Sequence, residues 1–533
     1  MKTRSPGTLQ ASGARETEPP ALGRPHVDRK PWHRRQSQSA CALLDARQIL
    51  PYQLAAATSL YGRTTVALLD DDRLFPTEAA TRNLARALYG TIKSLPIISP
   101  HGHTEPRWFA ENEAFPDPAH LIVVPDHYIF RMLVSQGVTL GELGVPSADG
   151  SPVETDGRRI WRRFAENYHL FRGTPTRLWL DDTFQNLFGL DVRLSAETAD
   201  HYYDHIADLL RQDDYRPRAL FERFNVEAIA TTESALDDLR HHRAIRESGW
   251  AGKVVTTYRP DAVTDPDFSG FAENLVKLGE VAGCDTGTFA GYIEAHRRRR
   301  AVFRDHGATA TDHGHPTART ADLSAAEAAE LYDRIKDGGG SAEDRELFRA
   351  QMLTEMARLS VEDGMVMQLH CGSFRNHSDR IVSAFGRDRG FDIPQPTNYV
   401  EALKPLLDVC ALEKSLTLIV FTLDETVFSR ELAPLAGVYP CLRLGPPWWF
   451  FDSPEGMKRF REAVTETAGF YNTVGFNDDT RAFCSIPARH DVARRVDCAY
   501  LAGLVTTGRL QEDEAFELAH DLTYRLAKEA YRL

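Results

Sequence analysis

Apolar residues recur along this chain in short runs separated by longer stretches in helical register. Strand-like runs fall at 95–99, 226–231, 253–258, 365–370, 416–422, 441–444 and 473–476, with a fainter one at 308–312. Between most of them, apolar positions repeat at the three-to-four-residue spacing of an amphipathic helix, as over 235–246, 399–407 and 454–471. Strands alternating with helices predict βαβ units and a parallel sheet, and eight such units predict a distorted (β/α)8 barrel. The spacing is uneven. The first run ends at 99 and the second begins at 226, and the interval carries helical patterns at 125–135, 158–171 and 196–212. A helical insertion between strands 1 and 2, at about 104–225, is expected to cap the barrel mouth.

Ahead of the first strand, residues 49–91 show helical spacing interrupted at 70–72. Residues 1–48 are rich in Arg, Pro, Ser and Gly and carry no apolar periodicity, which predicts a disordered N-terminal extension. The barrel with its insertion then occupies 49–533. The run Arg297-Arg298-Arg299-Arg300 lies in a helical pattern and is expected to be a solvated face.

Composition narrows the class. The chain has 533 residues, of which 42% are hydrophobic and 26% charged, the balance of a globular protein. A net charge of −13 argues against general nucleic-acid binding, and no run is long enough for a membrane helix. Seven cysteines without CxxC spacing predict free thiols in a reducing cytoplasm.

The chemistry begins at His101-Gly102-His103, just past the first strand-like run. Residues two apart on an extended segment point the same way, so both imidazoles can converge on one ion. Barrel closure brings the eighth run, which ends Asn477-Asp478-Asp479-Thr480-Arg481, beside the first. Two imidazoles and the Asp479 carboxylate suit a Zn²⁺ site with an open position; the alternative is an Asp that caps the next helix. Arg481 shares a face with Asp479. His370 and Arg375 follow the fifth run, where a buried core histidine is the competing reading. Arg259 follows the third, and either binds a carboxylate or pairs with Asp261. Trp449 belongs to an aromatic run after the seventh strand, either a sugar-facing wall or core. His127 and Tyr128, in the insertion, either reach down to the site as acid or base or are structural.

Taken together, these segments resemble the uronate isomerase (glucuronate isomerase) family of the amidohydrolase superfamily. The matching stretches include His101-Gly102-His103, Asp126-His127-Tyr128, Thr231-Thr232, Tyr258-Arg259-Pro260-Asp261, Gln368-Leu369-His370-Cys371-Gly372, Trp448-Trp449-Phe450 and Asp479-Thr480-Arg481, in one order from about residue 50 onward. The resemblance implies a distorted (β/α)8 barrel that interconverts D-glucuronate with D-fructuronate and D-galacturonate with D-tagaturonate. It implies metal ligands at His101, His103 and Asp479, and catalytic roles for Asp479, Tyr128 and Arg481. His127, Arg259, His370, Arg375 and Trp449 would bind substrate. One divalent metal, zinc by preference, is implied; a mechanism with Arg481 as electrophile and no essential metal is the alternative. The implied partner is a small hexuronate, without nucleic acid or membrane, and assembly into a homo-oligomer is compatible with it. Ser99, Gly102, Glu233 and the short Asn376-His377-Ser378 stretch depart from the family pattern around the site. These departures bear on substrate preference more than on reaction type.

A metal-dependent hydrolase of the same superfamily is the nearest rival. It would usually carry a bridging Lys or Glu on strand four and histidines on strands five and six. The chain offers Thr311-Asp312-His313 on the fourth, only His370 on the fifth and no histidine on the sixth. A non-catalytic sugar-acid binder is disfavoured because His101, His103, Asp479 and Arg481 are all present.

Overall fold

The structure, a computed structural model, describes residues 68–533. The expected extension at 1–48, and the helical spacing before 68, lie outside the described residues. Helix α1 (Ala79–Ile92) is capped by the Glu78 carboxylate, which accepts from the Ala80 and Thr81 N–H groups. Its buried residues Thr81, Ala85, Leu88 and Ile92 form one stripe, packed with Leu501, Ala502, Ala515 and Leu518 near the end of the chain.

Seven strands form one parallel sheet: β1 (Ile97–Ser99), β2 (Val226–Ser234), β3 (Lys253–Arg259), β4 (Ala310–His313), β5 (Val366–Cys371), β6 (Leu418–Thr422) and β7 (Leu442–Leu444). They lie in chain order, as successive βαβ units require. Every residue of β4, β5 and β6 is buried, the continuous signature of strands covered on both faces. On β5, Met367, Leu369 and Cys371 face the large apolar cluster shared with the outer helices, so Gln368 and His370 point to the barrel interior.

The eighth position is irregular. Thr473 makes a single parallel bridge to Leu444, and no strand follows. Gly475 (φ 73°) and Asp479 (φ 35°) sit in left-handed backbone, which breaks the extended run. Gly475 also lies so close to the Leu522 carbonyl that a Cβ would sit 2.7 Å from its oxygen. The run still returns to β1, where the His103 N–H donates to the Thr480 carbonyl at 3.1 Å. The result is a distorted (β/α)8 barrel with seven paired strands and an eighth segment held by isolated hydrogen bonds.

Between β1 and β2 the secondary structure is helical throughout, including α2 (His127–Val134), α3 (Gly157–Glu166) and α4 (Pro175–Asp182). These helices build a second apolar cluster of their own around Phe130, Trp161, Phe164 and Phe184. Elsewhere the helix boundaries shift for local reasons. The 399–407 pattern becomes Lys404–Cys410, because Pro405 is tolerated only in a first turn. The 454–471 pattern becomes Pro454–Ala468, stopped at Gly469 (φ 69°).

The arginine run departs from expectation. Arg299 and Arg300 are buried, on the helix Phe289–Asp305. Arg300 makes a two-pronged pair with Asp363 at 2.7 and 2.9 Å, and Arg299 donates to the Ala235 and Asp237 carbonyls. Only Arg297 and Arg298 stand in solvent, paired with Glu294 and Glu362. The distant acid and carbonyls that satisfy the inner pair leave no local trace in the sequence.

Candidate active site

A cavity of about 780 Å³ opens at the carboxyl ends of the strands, and all ten side chains singled out from the sequence line it: His101, His103, His127, Tyr128, Arg259, His370, Arg375, Trp449, Asp479 and Arg481. Strand-end loops supply most of them, the usual arrangement of a barrel enzyme. The insertion contributes His127 and Tyr128.

At the floor, Asp479 Oδ1 lies 3.2 Å from His103 Nε2 and 3.6 Å from His101 Nε2. It does not cap the following helix; that turn is closed by Thr480 Oγ1, which accepts from the Ala482 N–H. His101 stacks on His370 at 4.7 Å, and His370 stacks on Phe421 at 4.0 Å. The ligand atoms of His101, His370 and Asp479 all lie within 4.8 Å of one another, a group that can hold a metal ion. Convergence thus brings in His370 from β5 beside the expected set, while His103 stands against Asp479. Burial pushes His101 down to about 4, so its imidazole is neutral at pH 7 and free to donate a lone pair. Burial pushes the Asp479 carboxyl up, but the facing His101 and His103 outweigh it and hold the group well below the usual carboxylate range.

His370 is oriented from behind. Its Nδ1 meets Asp312 Oδ1 at 2.6 Å, and Arg259 Nη1 meets Asp312 Oδ2 at 3.1 Å. Arg259 Nε also donates to Asp261 at 2.8 Å, so the third-strand arginine both pairs with its loop acid and faces the cavity. This chain leaves His370 Nε2 buried with no hydrogen-bond partner among the described residues. An unpartnered imidazole nitrogen beside a carboxylate and a second imidazole is a fitting donor set for a divalent cation. The fourth run shows Asp312 in the sequence, but nothing local pairs it with His370. An acid ending the faint fourth run was the one signal available.

The upper wall comes from the insertion and the late loops. Asp126 caps α2 by accepting the Tyr128 N–H at 2.8 Å, which sets His127 and Tyr128 at the helix start. His127 meets Trp449 edge to face at 5.3 Å, so Trp449 belongs to the wall of the cavity. Burial raises the Tyr128 hydroxyl above its ordinary value. Behind Tyr128, Arg489 lies over Trp179 at 3.6 Å and pairs with Asp452 at 2.7 Å. Asp478, next to Asp479, is held by His490 at 3.0 Å. Arg375 Nε is buried without a partner, and Arg481 lines the cavity with no ion pair among the described residues. Arg375 Nη1 keeps a long pair with Asp392 at 3.8 Å, and the free Nε and the Arg481 guanidinium suit an anionic ligand.

Glu233, one of the departures noted above, is buried outside the cavity lining. Burial pushes its carboxyl up to about 8 despite the Thr256 and Thr231 hydroxyls. Its ordinary value is 4.5, so over that window the folded chain keeps a proton that the unfolded chain has released. Stability is therefore fullest below 4.5 and is lost as pH rises through about 8, by up to ~5 kcal/mol. Glu233→Gln, neutral throughout, is expected to match the parent in thermal unfolding at pH 5 and to melt above it at pH 9. An unchanged gap between pH 5 and 9 would refute this origin.

Comparison with known proteins bears on the whole chain. The family model described as glucuronate isomerase matches residues 74–531. A uronate isomerase of Rhizobium meliloti is 69% identical over 466 residues, covering 87% of this chain and 99% of its own length. A uronate isomerase of Brucella canis is 61% identical over 465 residues, covering 87% and 100%. The crystal structure of glucuronate isomerase from Caulobacter crescentus superposes with a TM-score of 0.86 at 58% identity, covering 87% of this chain and 97% of that one. That of a Thermotoga maritima uronate isomerase superposes with a TM-score of 0.80 at 26% identity, covering 87% and 99%. With the match running from the segment before α1 almost to the last residue, the chain belongs to the glucuronate isomerase family.

Proposed function

We propose that this chain is an aldose–ketose isomerase that interconverts D-glucuronate with D-fructuronate and D-galacturonate with D-tagaturonate. The observation that carries the reading is the Asp479 carboxyl, set 3.2 and 3.6 Å from two imidazoles in a cavity lined by Arg259, Arg375 and Arg481. Isomerisation moves a proton between C2 and C1 through an enediol, so it needs a base, an electrophile beside the oxygens and exclusion of water. Asp479 takes and returns the proton, with Tyr128 the alternative carrier at the opposite wall. Arg481, two residues from Asp479, stabilises negative charge developing on the substrate oxygens. Arg259 and Arg375 hold the C6 carboxylate, for which a planar guanidinium is the suited partner. Trp449 covers the carbon chain, and His127 and His370 hold hydroxyls.

His101, His103 and Asp479 would hold one divalent ion, with His370 beside them; zinc suits this nitrogen-and-carboxylate set. When bound it would polarise the carbonyl and hydroxyl oxygens as a Lewis acid. Among the described residues, six free cysteines suit a reducing compartment, and the cytoplasm is the proposed location. No described helix is long and apolar enough to cross a membrane.

The test is ketouronate formation from D-glucuronate and D-galacturonate by the purified protein, before and after chelation. Conversion of either sugar is the expected result, and silence on both with metal supplied would overturn the assignment. Loss on chelation with recovery on added zinc would assign the metal an essential role, while full activity afterwards would leave Arg481 as the electrophile.

A further inference from the structure

Among the described residues, Asp388 is the one carboxylate of the cavity lining that joins no ion pair; Asp265, Asp267 and Glu346 pair with Arg349, and Asp392 with Arg375. Asp388 lies on the loop between the helix Asp379–Phe385 and the ribbon strand Ile393–Pro394, and it lines the cavity. Among the described residues it accepts no hydrogen bond and joins no ion pair, although Arg259, Arg375, Arg387 and Arg481 line the same cavity and their charges act on it. Its place is built. The Asp388 backbone is left-handed (φ 60°), and its N–H donates to Asn376 Oδ1 at 2.9 Å. Asn376 is left-handed too (φ 56°) and donates its own N–H to Asp392. Two residues on, Gly390 lies so close to α2 that a Cβ would stand 3.2 Å from Phe130 and Arg131. The loop is thereby pinned between the end of β5 and the insertion.

A negative charge here works against an anionic substrate. Burial pushes the Asp388 carboxyl up, but Arg481, Arg375 and Arg259 outweigh it and keep the group ionised. A half-buried, ionised carboxylate with unused lone pairs requires donors, and a sugar acid carries a row of hydroxyls. Arg481 adjoins the reacting end at Asp479, whereas Arg259 and Arg375 are assigned the far carboxylate. A group set among all three faces the middle of the substrate chain. D-Glucuronate and D-galacturonate differ only at C4, in that middle.

Resting on the isomerase reading, we propose that Asp388 is a specificity-determining residue that accepts a hydrogen bond from the mid-chain hydroxyls of the hexuronate and so discriminates between the C4 epimers. The charge costs some affinity for every uronate and returns it only to the epimer whose C4 hydroxyl reaches the carboxylate.

Two variants test this without disturbing the fold. Asp388→Asn keeps shape and tolerates the left-handed backbone; Asp388→Gly removes the side chain at a φ that glycine adopts freely. The readout is the ratio of kcat/KM for D-glucuronate to that for D-galacturonate, with parent and variants assayed alike. A hydrogen bond to a charged group predicts a change in that ratio of about 10- to 100-fold in Asp388→Gly, and a smaller one in the same direction in Asp388→Asn. Equal effects on both sugars, or none, would overturn the proposal, because a purely electrostatic or structural role moves both epimers together. A parent that converts neither sugar would instead overturn the isomerase reading and this inference with it.

Discussion

Asp479→Asn is expected to lower turnover of both hexuronates by about 10³-fold or more while leaving the fold intact. Asparagine reproduces the shape of the side chain and can still meet His103, now 3.2 Å away. It has no negative charge and cannot accept a proton at neutral pH. The parent carboxyl is held below its ordinary range and is ionised at neutral pH, so the substitution removes both the base and its negative charge in one step. The measurement is kcat and KM with each sugar, alongside circular dichroism and the melting temperature. A folded variant with parental turnover would exclude Asp479 as an essential group and shift the proton to Tyr128.

Arg489→Met is expected to destabilise the fold by about 3–5 kcal/mol and to lower turnover by about 10²-fold. Arg489 is fully buried on the helix Ile486–Thr506 and joins three segments beside the apolar cluster of Tyr128, Trp179 and Phe476. It pairs with Asp452 after β7, donates to the Asp478 carbonyl at 3.4 Å, and lies over Trp179 and Tyr128 from the insertion. Burial already pushes the Asp452 carboxyl up to about 7. Without the guanidinium it would take up a proton at pH 7 or remain as an uncompensated charge, and either costs free energy. Methionine fills much of the volume, so the loss reports the charge more than a cavity. The double variant Arg489→Met with Asp452→Asn removes the stranded acid and is expected to recover part of the stability, read as a denaturant midpoint. Turnover should stay low in the double variant, since Tyr128 and the Asp479 loop would still lack their common support. Additive losses in the cycle would show that the two side chains act independently.

Much of the site was legible in the chain because its groups occupy ends of recognisable elements. The two-residue step from His101 to His103 follows a strand, and Asp479 and Arg481 follow the last strand-like run with the same step. The repeat of apolar runs was enough to expect a barrel, and the barrel puts strand ends together. Less was legible wherever a contact partner lies far away along the chain. His370 on its own read equally as a core residue. Asp312, 58 positions earlier, orients it, and no local pattern announces that pairing. Arg299 and Arg300 looked solvated because their neighbours are polar, yet Asp363 and two carbonyls satisfy them inside. Asp388 sits in a loop whose path depends on its packing against α2.

The sequence by itself determined the element types, the helical insertion and the kinds of groups gathered at the strand ends. Periodicity and residue chemistry are local properties, and a run of ten residues is enough to express them. Only the tertiary structure decided that His370 joins the His101–Asp479 cluster, that the eighth run adds isolated bonds rather than a strand, and that Asp388 lines one cavity with Arg259, Arg375 and Arg481. Those outcomes depend on distances between residues remote in the chain. Burial then sets which charges survive there, because desolvation and the facing charges act on a group only once the fold has brought them together.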